Sequence, residues 1–507
     1  MYLGSSKVRI GHSLNEAERQ HVIRRRKTVL QCLQKHNIHC SLDEVPNIAV
    51  LGSGGGLRAM VALLGSLSEL KDQELLDCIM YLSGVSGSTW CMTSLYKEAD
   101  WSTKLDTVKN NIVQRLANGK VNWLDKYYKL KKYLEHDNFS LTDVWAVLLV
   151  SYLVKEIDEN TLTKQRGKCT NDPYPIYTVI DKQRKQSNSC FSDVWFEITP
   201  DESGYSLSGA FVDSSCLGSQ FENGKKITDQ PEMDMLYLQG LCGSAIADLE
   251  EDLKIIFQEI IHFFFPTNTQ ERNASQALDV QKGRQVLPTL VELNLCVLRQ
   301  EDPTVKLKAM DDLLRDTAEC ITKLLTWTWG TTYNFLYNMK VEEVDPSVLH
   351  SKTREYEDSG VLLNSPYFSV LRKERDIDLI ISLDFSTGDP FQTVEDAAKM
   401  CEELHIPFPK VTNIDDATRE APQDFYVFEG SGEAPTVIHI PLFNVVNCNG
   451  DIKEWEERYS WRKREYSLDD STGLMEKAYS NITNNKGNLI KEIKHVIERK
   501  KSLDKLD

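Results

Sequence analysis

Asn47-Ile-Ala-Val-Leu51 is a short apolar run that breaks at once into Gly52-Ser-Gly-Gly-Gly56, after which a helical pattern extends from Leu57 to Lys71. A second run, Cys78-Ile-Met-Tyr-Leu82, ends in Ser83-Gly-Val-Ser-Gly-Ser88. The order is strand, glycine loop, helix, strand, glycine elbow: one βαβ unit. Such a unit brings both loops to the carboxyl edge of a parallel sheet, where open α/β folds place their sites.

The chemistry that fits this pair of loops is acyl transfer. A serine following a strand and flanked by glycines, as in Gly84-Val-Ser-Gly87, sits in a tight turn with its hydroxyl presented, which makes Ser86 the candidate nucleophile. The run Gly54-Gly-Gly56 heads the preceding helix and offers backbone N–H groups without side chains in the way, so Gly55 and Gly56 are candidate oxyanion donors. Other glycine loops fail on spacing. A phosphate loop needs Lys and then Ser or Thr after its last glycine, and here Leu57-Arg58 follow; the dinucleotide fingerprint would need glycine where Leu57 stands. Either loop alone reads as an ordinary strand-to-helix turn, and the pair on one unit does not.

Composition sets the frame. The 507 residues are 41% hydrophobic and 27% charged, enough for a sizeable core, and 59 basic against 76 acidic residues give a net charge of −17. That balance argues against nucleic acid as a general partner and leaves any membrane docking to local basic stretches. Twelve cysteines are scattered without a Cys-x-x-Cys pair, and Met1-Tyr-Leu-Gly-Ser5 has no apolar leader core, so a reducing cytoplasm is the expected compartment. Apolar runs such as Val144–Val150 are far below the ~18 residues of a membrane span. No calcium loop of the EF-hand pattern is present, and neither a metal nor another cofactor is expected.

The two loops, Gly52-Ser-Gly-Gly-Gly-Leu-Arg-Ala-Met60 and Ser83-Gly-Val-Ser-Gly-Ser-Thr-Trp90, carry a resemblance. It continues through Gly240-Leu-Cys-Gly-Ser244, Trp329-Gly-Thr-Thr-Tyr-Asn334, Asp358-Ser-Gly360, Leu379–Phe385 and His439–Asn444. The chain resembles the catalytic domain of the cytosolic (group IV) phospholipase A2 family, a relative of the patatin-like lipases, and is most similar to its gamma type, which lacks a C2 domain. The resemblance implies a three-layer patatin-like α/β fold with a mixed central sheet and a helical cap or lid. It implies a calcium-independent phospholipase A2 that cleaves the sn-2 ester of glycerophospholipids, with lysophospholipase and transacylase side reactions. It puts Asp358 in the place of the family's catalytic aspartate, acting with Ser86 and no histidine, and it puts Arg58 and Arg375 where the family holds the substrate phosphate. Read alone, Asp358-Ser-Gly360 is a common turn, and Arg375 is equally a surface charge before a strand. The partners implied are glycerophospholipids, lysophospholipids and a peripheral membrane surface.

Around this core three regions are expected: a helical extension over 1–45, the catalytic domain over 46–460 with a lid segment at 267–300, and a basic amphipathic helix within 461–507. Ser13-Leu-Asn-Glu16 reads as a capping box opening the first helix, with Arg24–Lys27 as its solvated face. Lysines and aromatics between Trp123 and Tyr133 suit either a headgroup boundary or a helix pair covering the sheet, and Phe263–Phe265 suits an acyl channel or buried core. In the last helix, the apolar stripe Leu489, Ile490, Ile493, Val496 and Ile497 suits a membrane or the protein body equally. The ending Leu503-Asp-Lys-Leu-Asp507 has no CaaX box, so the prenyl anchor of some gamma-type members is not expected. Two rival readings stand. One is a Ser-Asp-His triad using His405, His439 or His495, acting on neutral esters; the other is a catalytically silent lipid-binding protein of the same fold.

Overall fold

A computed structural model describes residues 8–168, 170–186, 193–244 and 328–503. The expected lid at 267–300 and the phenylalanine run Phe263–Phe265 lie outside the described residues. In chain order the strands are β1 (Arg9–Ile10), β2 (Ile48–Gly52), β3 (Tyr81–Gly84), β4 (Tyr174–Asp181), β5 (Trp195–Ile198), β6 (Glu202–Tyr205), β7 (Ala210–Asp213), β8 (Gln220–Glu222), β9 (Lys225–Thr228), β10 (Thr331–Tyr333), β11 (Thr353–Asp358), β12 (Leu379–Asp384), β13 (Tyr426–Phe428) and β14 (Thr436–Pro441). All but the hairpin β8–β9 join one twelve-stranded sheet. At its centre β4, β3, β2, β12 and β14 lie side by side and parallel, while β1 and β5–β7 extend one flank and β13 the other in antiparallel order. The expected mixed sheet is therefore observed.

The parallel strands are buried along their whole length, as apolar runs such as Ile48-Ala-Val-Leu51 and Leu379-Ile-Ile381 require. Their register matters for function. Gly52 pairs with Gly84 and Leu383 pairs with Gly52, so β2, β3 and β12 end level at one carboxyl edge. The helices α1 (Glu16–Lys35), α2 (Gly56–Asp72), α3 (Gly87–Tyr96), α4 (Leu105–Asn118) and α5 (Trp123–Leu134) precede β4. Every residue of α2 from Leu57 to Leu70 is buried. The α2 helix is packed by α3, by α4 and by the C-terminal helix Leu468–Leu503, whose Met475 lies against Gly65 so closely that a methyl group there would press on it at 3.1 Å.

That packing decides the alternative left open for the C-terminal helix. Leu489, Ile493, Val496 and Ile497 are buried in the body, and Ile490 packs on the same core. Its basic end is engaged as well: Arg499 donates to Thr436 Oγ1 and the Asp378 carbonyl, and Lys500 to Asp378 and Asp376. The stripe is an internal face, and the membrane reading of it is corrected. The lysine and aromatic stretch of α5 divides between interior and surface. Lys126 and Lys129 are buried, binding the Leu148 carbonyl and the Glu159 and Asp234 carboxylates, while Leu124 and Tyr128 are exposed.

Two details of α1 also depart from the sequence expectation. Asn15, not Ser13, caps the helix by accepting from the Ala17 amide. The run Arg24–Lys27 is not wholly solvated, because Arg25 is buried and donates to the Ile79 and Leu76 carbonyls. On the same helix the buried Glu18 meets Arg375 at 2.8 Å, and Arg375 also pairs at 2.8 Å with Glu197 of β5, which Arg372 holds at 2.7 Å. These side chains are 0–1% exposed. Burial works to raise the Glu197 carboxyl, but Arg375 and Arg372 bring it down to about 2.

Removing one partner of this network leaves a buried charge uncompensated, so Arg375→Met or Glu197→Gln should lower the unfolding free energy in urea titrations by about 3–5 kcal/mol. Because Glu197 sits below the ~4.3 of an unfolded glutamate, its contribution is present in full above that pH and is lost as pH falls towards 2. The gap between wild type and Glu197→Gln should therefore narrow in acid.

Candidate active site

Strand β3 ends at Gly84, and two residues later Ser86 stands at the head of α3 with φ 51° and ψ −122°. Side chains other than hydrogen rarely adopt this backbone region, and residues held there cluster at functional sites. The turn persists because its surroundings leave no alternative. Val85 N–H donates to the Gly52 carbonyl, Ser88 and Thr89 N–H to the Val85 and Ser86 carbonyls, and Ser88 Oγ reaches the Ser53 carbonyl at 2.7 Å. Gly87 is required: a Cβ there would lie 1.8 Å from the Gly56 carbonyl oxygen. The elbow and the glycine loop are thus in direct contact.

Gly55 is the N-cap of α2 with φ 153°, and Gly56 follows at φ 58°. Both are partly exposed, and the first turn of α2 has neither a side-chain cap nor an acidic residue. Among the described residues no side chain caps its leading N–H groups, and its own first turn sets no carboxylate against the positive end of the dipole. Gly54 touches the elbow: a Cβ on it would come within 3.0 Å of Ser86 Cβ. Arg58, one turn into the helix, is buried and clamps this loop, with Nε on the Phe385 carbonyl and Nη1 on the Tyr459 carbonyl, both at 2.7 Å. Nη2 lies beside Gly55, 2.8 Å from where a Cβ would project. Burial lowers the pKa of Arg58, although the guanidinium stays charged at neutral pH.

Asp358 arrives from the opposite direction. It is the last residue of β11, which runs antiparallel to β4 with Asp358 opposite Val179, while β3 holds Gly84 opposite Tyr177. Since β5 occupies the other edge of β4, β3 and β11 share one edge and meet end to end. Thr178 joins the two ends, donating from Oγ1 to the Gly84 carbonyl at 2.9 Å and lying 3.1 Å from Ser359 Oγ. The Asp358 side chain is fully buried, with Oδ1 accepting from Gly360 N–H at 2.8 Å, and its own amide donates to Ser244 Oγ. Burial and then the Asp358 charge push the thiol of neighbouring Cys242 well up.

Asn364 was not singled out by sequence reasoning, yet it ties the glycine loop to the Asp358 turn and to Ser386 beyond β12. Its carbonyl accepts from Gly54 N–H, and its Nδ2 donates to the Gly54 carbonyl and to Ser386 Oγ. Its Oδ1 fills the space in front of Gly54 and Gly360, 2.3 and 2.9 Å from their Cβ positions. Its signal was faint: one asparagine in a Leu-Asn-Ser-Pro turn, six residues beyond Asp358.

Arg375 does not join this group. Nε, Nη1 and Nη2 are spent on Glu18, Glu197 and the Ser369 carbonyl, all buried, so it has no N–H left to offer a substrate phosphate. That expectation is corrected. The histidines of the rival triad sit apart too. His439 is wholly buried on β14, three strands from β3, or about 14 Å at the usual strand spacing, and its Nε2 donates to the Pro390 carbonyl. His495 pairs with Glu492 on the C-terminal helix, and His405 is exposed in a turn.

A family model described as a lysophospholipase catalytic domain matches residues 48–270. The chain is 34% identical over 97% of its length to human (Homo sapiens) cytosolic phospholipase A2 gamma, covering 97% of that protein, and 33% identical over 95% to the mouse (Mus musculus) protein, covering 91% of it. The solved structure of human GIVD cytosolic phospholipase A2 superposes with a TM-score of 0.73 over 97% of this chain and 68% of that one, at 19% identity. A further structure of that enzyme, in complex with methyl gamma-linolenyl fluorophosphonate, gives 0.73 over 99% of this chain and 66% of the other, at 22% identity. By sequence along nearly its whole length and by fold, the chain belongs to the cytosolic phospholipase A2 family and is of its gamma type.

Proposed function

We propose that this family member is a phospholipase A2 that hydrolyses the sn-2 ester of glycerophospholipids through Ser86 and Asp358, without calcium. The observation that carries the reading is the end-to-end meeting of β3 and β11 on one edge of β4, which brings the strained serine elbow and a buried carboxylate to the same place. Asp358 takes the Ser86 hydroxyl proton as Oγ attacks the ester carbonyl. The oxyanion of the tetrahedral intermediate is met by the N–H groups of Gly55 and Gly56 at the head of α2. Arg58 holds the phosphate through Nη2, the nitrogen turned towards the loop. Asp358 then returns the proton to the departing lysophospholipid, leaving an acyl-enzyme.

Water resolves that intermediate in hydrolysis, with Asp358 as base again. A lysophospholipid that takes its place accepts the acyl chain, and one that enters as substrate loses its own, which gives transacylase and lysophospholipase activities. Nucleophile, base and oxyanion donors all come from the chain, so the chemistry calls for no metal. Access to substrate is peripheral: among the described residues no helix is long and apolar enough to cross a membrane.

Phosphatidylcholine vesicles with different acyl chains at sn-1 and sn-2, assayed in EDTA with products identified by mass spectrometry, test the reading. Wild type should release the sn-2 fatty acid. Ser86→Ala and Asp358→Ala should each lose about 10³-fold or more in kcat, and His439→Asn should retain activity. A folded His439→Asn protein that is inactive points to a triad; no release from intact lipid by folded wild type points to a silent lipid binder. A fluorophosphonate probe should label Ser86 in wild type and nothing in Ser86→Ala.

Asn364 sets the glycine loop against the Asp358 turn without standing in the reaction path. Asn364→Ala should lower kcat about 10–100-fold while KM stays within about twofold, because loosening the loop weakens transition-state contacts more than ground-state binding. An equal rise in KM at constant kcat shows instead that Asn364 contacts the substrate.

A further inference from the structure

Helix α1 docks on the body largely through the turn that connects α2 to β3. Arg25 donates to the Leu76 and Ile79 carbonyls, and His36 Nε2 and Cys32 Sγ both bind the Glu74 carbonyl. In this contact Cys78 Sγ lies 2.7 Å from Cys32 Sγ, a residue 46 positions away. Both thiols are buried, at 2% and 0% exposure. Among the described residues no other pair of cysteine sulfurs comes within hydrogen-bonding distance. The sequence shows twelve scattered cysteines, and the fold brings these two face to face with nothing between them.

We propose that Cys32 and Cys78 are a redox modification site, closing as a disulfide that staples α1 to the turn before β3. This goes beyond the hydrolase reading and does not rest on it. The covalent S–S length of ~2.05 Å is reached by an approach of only ~0.65 Å. The oxidant is a hydroperoxide. One thiolate attacks its terminal oxygen, the O–O bond breaks, and a sulfenic acid forms as the alcohol leaves. The second sulfur attacks the sulfenic sulfur, the S–S bond forms, and water departs. Two thiols lose two electrons and two protons, and the hydroperoxide becomes alcohol and water.

The staple holds a part of the molecule that contains neither Ser86, Asp358, the glycine loop nor Asn364. It adds stability by restraining the unfolded chain across a long loop, and it leaves the proposed chemistry in place. Since both sulfurs are covered, the reaction runs through local opening of α1, and sub-denaturing urea accelerates it.

The experiment uses the full-length protein, reduced and then exposed to tert-butyl hydroperoxide in buffer and in sub-denaturing urea, alkylated with iodoacetamide and digested without reductant. The expected product is the tryptic peptide 28–35 joined to 72–97, two hydrogens lighter than the separate pair, with fragmentation assigning the link to Cys78 rather than to Cys91. The oxidised protein should melt several degrees higher, and dithiothreitol should reverse both changes. Cys32→Ser and Cys78→Ser, where folded, should lose link and shift while keeping vesicle hydrolysis. The wild-type comparison stands without them. Recovery of both residues as alkylated thiols or as sulfinic acids in both solvents, or a link from either to another cysteine, overturns the proposal.

Discussion

The close approach of two glycines is the constraint on which the site depends. Gly87 begins the helix after the elbow, Gly56 begins the helix after the glycine loop, and 1.8 Å separates a hypothetical methyl group on one from the carbonyl oxygen of the other. Two helix N-termini are thereby brought together at the level edge formed by β2 and β3. The positive end of the α2 dipole therefore lies beside the serine elbow. The price is conformational: Ser86 is held in a backbone region that costs of order 1–3 kcal/mol. Packing elsewhere has to exceed that cost, and the fully buried α2 between α3, α4 and the C-terminal helix supplies it.

The chain segments flanking the catalytic core are structural parts of it. Glu18 on α1 completes the coordination of Arg375, and Met475 on the C-terminal helix fills the surface above Gly65. A boundary near residue 45 or 460, sensible from sequence, therefore cuts through packed and ion-paired surface. Truncation at either point leaves Arg375 short of a carboxylate or exposes the outer face of α2, and the expected consequence in both cases is loss of the fold rather than release of a domain.

What was legible in the sequence was backbone geometry. Glycines flanking a serine, and three glycines before a helix, state their requirement locally, and the observed φ values of Ser86, Gly55 and Gly56 are of that kind. What was not legible was long-range pairing. Arg375 looks like any arginine before a strand, because Glu18 lies 357 residues away and Glu197 lies 178 away. The apolar stripe on the last helix was evident from its period, but periodicity cannot say whether a membrane or the protein body covers it. Asn364 escaped for a related reason: it works through backbone atoms of Gly54, which leave no mark in side-chain chemistry.

Long-range strand pairing also sets where the candidate carboxylate stands relative to the serine elbow. Ser86 and Asp358 are far apart in sequence, yet the strand ends that carry them are opposite Tyr177 and Val179, two positions apart on a single strand, or about 6.6 Å at 3.3 Å per residue. Thr178 lies between these positions and hydrogen-bonds towards both ends. The spacing of the two strand ends is thus set by the covalent repeat of β4, and the elbow adds only the two residues from Gly84 to Ser86. A one-residue slip of β11 would turn Asp358 to the other face of the sheet, and the buried salt bridge between Arg354 of β11 and Asp181 of β4, at 2.6 Å, opposes it. Burial of that pair serves register: an ion pair that is satisfied only in one alignment excludes the others, and the position of the candidate base follows from it.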